Sequence, residues 1–229
     1  MIISVLIFSV VLGVVLGRNF GQKEGLVKIL LIVSAGFLIS ICVNEIFPKV
    51  YEHHDLNLGI WVIVGVLLQM ILENLTKGFE HGHIHHHGEK TILPFTLVIG
   101  LFVHAFIEGI PLAKEQHLSP YLQGIFLHKL PISFILGAFL FRNKKFSSFS
   151  SWLIVGVFAL ASPLAIWVGR YFPANFEPYI LAIVGGIFLH ISSVIIFESN
   201  KNHNVDWQKI GWVILGIALA FVTHLFHHH

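Results

Sequence analysis

The sequence predicts an all-α polytopic membrane protein with eight transmembrane helices. Three observations carry this. The 229 residues are 55% hydrophobic, with a mean hydropathy of +0.82. Only 11% are charged, against roughly 25% in a soluble domain, and a bilayer solvates apolar surface that charge would otherwise have to cover. Apolar stretches of about 16 to 23 residues recur along the whole chain, and at about 1.5 Å per residue each is suited to the roughly 30 Å hydrocarbon layer. They are continuously apolar, without the in-out alternation of barrel strands, so helices are expected.

The first stretch runs from Ile2 to Gly17, and Met1 leads into it with no basic n-region, so no separate signal peptide is read. The second, Leu26 to Val43, is expected to end at Asn44 and Glu45, with Pro48 close behind; these two polar residues are placed at an outer mouth. The third, Leu58 to Leu75, carries Glu73 near one end, read as interfacial. The fourth, Ile92 to Ala113, contains VHAFIEGIP. Its His104 and Glu108 are four residues apart, which sets an imidazole and a carboxylate on one helix face, able to chelate one divalent ion. Pro111 has no amide hydrogen for the carbonyl of Ile107, so a freed backbone acceptor is expected there.

The fifth stretch, Ser119 to Phe141, holds His128, Lys129 and Pro131 deep in an apolar run. A buried lysine must lose its proton or meet a carboxylate such as Glu108. Two spans that each carry a histidine and a proline at similar depth are how broken helices assemble an ion site. His104, Glu108 and His128 make a nitrogen and oxygen set suited to zinc or another first-row divalent ion and poorly suited to calcium. In the sixth, Ser151 to Val168, Ala161, Ser162 and Pro163 are read as close packing. The seventh, Pro178 to Phe197, has His190 beside Ser192 and Ser193, a pathway or supporting residue. The eighth, Trp207 to Phe226, runs into the terminal His224, His227, His228 and His229, which are assigned no role.

The chain is read as one transmembrane domain, residues 1–229, because loops of about 15 to 20 residues are too short for a separate core. With the amino terminus outside, ten basic residues, among them Arg18, Lys23, Lys77 and Arg142, fall inside, and only Lys49, Lys114 and Arg170 outside. Both termini then face out, and the protein is expected in the cell membrane. A His-rich loop at 78–91 becomes cytosolic, and its His81, His83, His85, His86 and His87 are read as metal-capturing. Cys42 is the single cysteine, so any metal is held by nitrogen and oxygen. The formal net charge of +2 gives no reason to expect nucleic acid. Without a nucleotide-binding motif, movement of an ion would draw on ion gradients.

These residues together resemble the ZIP (Zrt/Irt-like) metal transporters, over essentially the whole chain. HAFIEG at His104 to Gly109 is similar to the fourth-span signature of that family, and HKLP at His128 to Pro131 to the start of its fifth-span signature. AGFLISICVNEIFP at Ala35 to Pro48 and ALASPL at Ala159 to Leu164 are similar to its second and sixth spans. The resemblance implies import of divalent metal, usually zinc and sometimes iron or manganese, by movement of one helix group against another. Cadmium is not distinguished from these by the sequence. The metal is cargo, with no cofactor and no enzymatic step, and a homodimer is compatible. It also implies that His104, Glu108 and His128 are the transport-site ligands, with Asn44 near the outer approach.

One departure is informative. Many members place a further carboxylate about one turn after the fifth-span histidine, where this chain has Ile132 and Ser133, and Lys129 beside His128 offers none. A mononuclear site is expected, with the Lys129 ammonium in the place of a second cation, compensating Glu108. The competing reading is an intramembrane zinc-dependent hydrolase, for which Lys129 is the only obvious extra acid or base. A metal sensor working through the His-rich loop is a third.

Overall fold

The computed structural model describes residues 1–52, 57–79, 95–115, 118–143, 146–197 and 206–227. The helices are α1 (Ile2–Phe20), α2 (Glu24–Ile41), α3 (Phe47–Tyr51), α4 (Gly59–Thr76), α5 (Phe95–Gly109), α6 (Pro120–Arg142), α7 (Ser148–Gly169), α8 (Glu177–Phe197) and α9 (Trp207–His227). No strand occurs among the described residues. A π-helical turn, Cys42–Ile46, joins α2 to α3, so that Gly25–Tyr51 is one continuous apolar run.

Seven helical runs among the described residues are long and apolar enough to cross a bilayer, and α5 is a shorter apolar helix of 15 residues. At 1.5 Å per residue α5 covers about 22 Å. It stops at Gly109 because Pro111 cannot continue it, and Pro111–Ala113 tightens into a 3-10 turn. Local sequence sets the other ends. Ser119 caps α6 by accepting the Leu122 amide at 3.2 Å, with Pro120 in its first turn. Ser147 does the same for α7 through Ser150 at 3.1 Å. At the end of α4, Lys77 and Gly78 take positive φ of 53° and 70°, and the Gly78 amide closes on the Glu73 carbonyl at 3.1 Å.

The expected end of the second span at Val43 is corrected. Pro48 has no amide for the Asn44 carbonyl, and the chain accommodates it with the π turn, in which the Phe47 amide reaches back to Cys42. Asn44 and Glu45 therefore lie within a helical run, not at its end.

Helices associate in pairs: α1 along α6, α2 along α9, α4 along α8 and α5 along α7. The pairs form two groups, α1 with α5, α6 and α7, and α2 with α4, α8 and α9, joined where α2 meets α6 and α4 meets α5. Pairing within a group brings backbones together. A Cβ on Gly186 of α8 would lie 2.0 Å from the Val62 carbonyl oxygen of α4, and one on Gly65 of α4 would lie 2.0 Å from the Ile183 carbonyl oxygen of α8. Small residues allow this approach where lipid offers no hydrophobic drive for helix association. Across the joint between the groups, Gly124 of α6 meets side chains instead, those of Ile41, Leu38 and Phe37. Outward faces carry exposed apolar side chains such as Phe8, Ile63, Trp167 and Leu225, suited to lipid contact, while α6 is the most enclosed helix.

Candidate metal centre

The helical rise brings His104 and Glu108 together on the inner face of α5, with His104 Nε2 3.4 Å from Glu108 Oε2. From α6, His128 turns its ring edge-on to His104, with centroids 5.6 Å apart. One ligand atom from each of His104, Glu108 and His128 lies within 4.8 Å of the others, and all three side chains are buried. Two ligands each about 2.1 Å from a tetrahedral zinc sit about 3.4 Å apart. The His104–Glu108 pair already has that separation, and the His128 ligand atom lies within 4.8 Å of both.

Lys129, 2% exposed, forms an ion pair with Glu108 Oε1. Its ammonium also lies 5.2 Å from the centre of the Phe158 ring of α7, a cation–π contact in a region with little water. The two oxygens of Glu108 are thus divided, one facing the imidazoles and one the ammonium. Ser133 packs its Cβ against Gly13 of α1, and Ile132 is buried in the core, so these two positions bring no anionic group.

The backbone around Glu108 is braced. Tyr121 donates its hydroxyl to the Glu108 carbonyl at 2.7 Å, and Ser162 of α7 donates to the Ala105 carbonyl at 2.7 Å. Ser162 also lies against Gly109, as close packing requires. The acceptor expected to be free at Ile107 is not free: its carbonyl takes the Ile110 amide at 3.2 Å in the tightened turn.

Gln69 escaped the sequence reading. Fully buried on α4, its Oε1 lies 3.1 Å from His104 Nδ1. The available signal was an amide inside the apolar run of the third span, four residues before Glu73 and hence on the same helix face.

The remaining pathway candidates lie apart from this cluster. Asn44 binds its own helix, donating to the Ser40 carbonyl at 2.9 Å. Glu45 reaches across to α9, where its Oε1 is 2.5 Å from His224 Nδ1, and both border a crevice with Ser40, Asn44, Pro120 and Phe221. His224, assigned no role from the sequence, is therefore a partner of Glu45. His190 of α8 pairs with Glu73 of α4 at 2.7 Å. His81, His83, His85, His86 and His87 lie outside the described residues.

Comparison with known proteins agrees with the chemistry of the cluster. The family model described as ZIP Zinc transporter matches residues 80–224. Protein zntD of Dictyostelium discoideum is 34% identical over 148 residues, covering 56% of this chain and 22% of zntD, so the chain spans about a fifth of that relative. A protein of Methanocaldococcus jannaschii, Uncharacterized protein MJ1036, is 27% identical over 202 residues, 81% of each chain. No solved structure matches the chain.

Proposed function

The chain belongs to the ZIP zinc transporter family, and on that premise we propose that it carries a divalent metal ion, zinc foremost, into the cytosol through a mononuclear site of His104, Glu108 and His128. One observation carries the reading: three donor groups of the classes zinc prefers converge from two helices in a buried region of a membrane protein.

The charge count supports cargo over a resident ion. Lys129 offsets Glu108, so a bound divalent cation leaves the buried cluster with a net charge of about +2, which opposes tight retention and favours release. Lys129 stands where a second cation would need an anionic ligand and offers none, which supports one ion rather than two. Movement of one helix group against the other has support in the packing. Gly65 and Gly186 lock α4 to α8 backbone to backbone, whereas α6 meets α2 at Gly124 through side chains that can slide.

The basic-residue asymmetry orients the chain with both termini outside. Residues 78–91 then face the cytosol, where the five histidines from His81 to His87 receive the ion. Glu45 and His224, with Asn44, border the outer approach.

Uptake of radioactive zinc into proteoliposomes tests the reading. The intact chain accumulates zinc, and His104→Ala and Glu108→Ala each reduce accumulation to the level of empty vesicles. Absence of uptake by the intact chain, or undiminished uptake by both variants, overturns it.

A further inference from the structure

Glu73 follows Gln69 by one turn of α4, on the same face and about 6 Å further along the axis. Its Oε2 lies 2.7 Å from His190 Nε2 of α8, so the pair spans the two helices locked at Gly65 and Gly186. The Glu73 and His190 side chains keep 27% and 14% exposure, whereas His104 and Glu108 keep 1% and 0%. This pair is thus partly exposed, whereas the core cluster is enclosed.

The polar groups are ordered along one line. His104 touches Gln69; Gln69 precedes Glu73 on the α4 face; Glu73 touches His190; and α4 ends three residues beyond Glu73, at Thr76. Beyond that end lies the face from which the chain departs between α4 and α5. In the proposed orientation this is the cytosolic face. An imidazole nitrogen and a carboxylate oxygen are the donor classes of the core cluster, and in a partly hydrated setting water completes the coordination shell. Glu108 divides its oxygens between the His104 imidazole and the Lys129 ammonium, whereas Glu73 Oε2 faces the imidazole of His190. An imidazole can give a lone pair to a metal; the Lys129 ammonium cannot.

We propose that Glu73 and His190 form a second, hydrated metal station, which takes the divalent cation as it leaves His104, Glu108 and His128 and passes it to the α4 carboxy-terminal face. The proposal rests on the transport reading of the core cluster. Ligand exchange is then stepwise: the ion trades core donors for Glu73, His190 and water without crossing an apolar gap unliganded.

The alternative is a hydrogen bond that merely holds α4 against α8, and Glu73→Gln separates the two. Its amide keeps a hydrogen bond to His190 but removes the anionic ligand. In proteoliposomes of the full chain, Glu73→Gln and His190→Ala should each lower maximal zinc uptake about tenfold, with the half-saturating concentration changed less than about twofold. The double variant should be no slower than either single one. Cadmium-113 NMR of the purified full chain supplies the direct reading: a resonance lost in Glu73→Gln and in His190→Ala persists in His104→Ala. Wild-type uptake in Glu73→Gln, or a cadmium spectrum that neither substitution at the pair alters, overturns the station. If the intact chain takes up no zinc, the transport reading fails, and the cadmium resonance still decides whether the pair binds metal.

Discussion

Gln69 of α4 accepts the Nδ1 proton of His104 across the joint between the two helix groups, at 3.1 Å. An imidazole that ligates through Nε2 must carry its proton on Nδ1, and a fixed acceptor at Nδ1 selects that tautomer and holds the ring plane. Nε2 is then the nitrogen that faces Glu108 Oε2, 3.4 Å away. Gln69→Leu removes the acceptor and leaves a buried N–H unsatisfied, so the half-saturating zinc concentration for uptake should rise about tenfold. Gln69→Glu restores an acceptor and should stay within about threefold of wild type. Equal effects of the two substitutions would show that Gln69 only fills space.

Lys129 gives a prediction in two directions. Lys129→Met leaves the Glu108 carboxylate buried without its counter-charge, and breaking such a pair costs about 3–5 kcal/mol. The metal-free variant should melt well below wild type in detergent, and added zinc should raise its melting temperature more than that of wild type. Lys129→Glu puts a carboxylate where the ammonium stood and should add one bound cadmium ion per chain by equilibrium dialysis. Unchanged transport in Lys129→Ala, or two tightly bound ions in the wild-type core, would defeat the single-ion site.

The core cluster was legible because its signals are local. His104 and Glu108 lie one helical turn apart, and ionisable groups are rare enough in apolar spans that Glu108 and Lys129 could be paired on cost alone. The all-α polytopic class was legible too, since continuous apolar runs have one solution in a bilayer; seven of the eight expected spans are long apolar helices among the described residues, and the fourth is the shorter α5. What resisted reading depends on contacts distant in sequence. Gln69 meets His104 across 35 positions, and Glu45 meets His224 across 179; no spacing rule connects them. The π turn was missed because Pro48 signals the end of a helix as readily as an irregularity within one. The Ile107 carbonyl was misjudged because the sequence shows which donor is missing but not that Ile110, one residue nearer, supplies another.

Deletion of His81 to His87 separates transport through the bundle from sensing by the loop. The candidate core donors lie on α5 and α6, outside the deleted segment. Zinc uptake by the deleted chain should therefore fall less than about threefold at saturating zinc, as for a capture element that is not part of the barrier. Complete loss of uptake with the fold retained would move the essential chemistry into the loop.

The close approach of α4 to α8 ties helix packing to the metal site. A methyl group on Gly186 would sit 2.0 Å from the Val62 carbonyl oxygen, a backbone atom that cannot swing aside, so Gly186→Ala must push the helices apart. Overpacking of this kind costs about 1–3 kcal/mol. Gly156 of α7 has nothing within 4 Å of the same added atom. Gly156→Ala should therefore be neutral or stabilising by about 0.5–1 kcal/mol through helix propensity. Thermal unfolding in detergent compares the two. The packing argument extends to function because α4 carries Gln69: a helix displaced from α8 also shifts its hydrogen bond to His104. Gly186→Ala should then raise the half-saturating zinc concentration in the same direction as Gln69→Leu. In the double variant the two effects should not add, because the second substitution disturbs a bond the first has already lost. Additive effects would mean that the α4–α8 spacing reaches the metal site by a route other than Gln69.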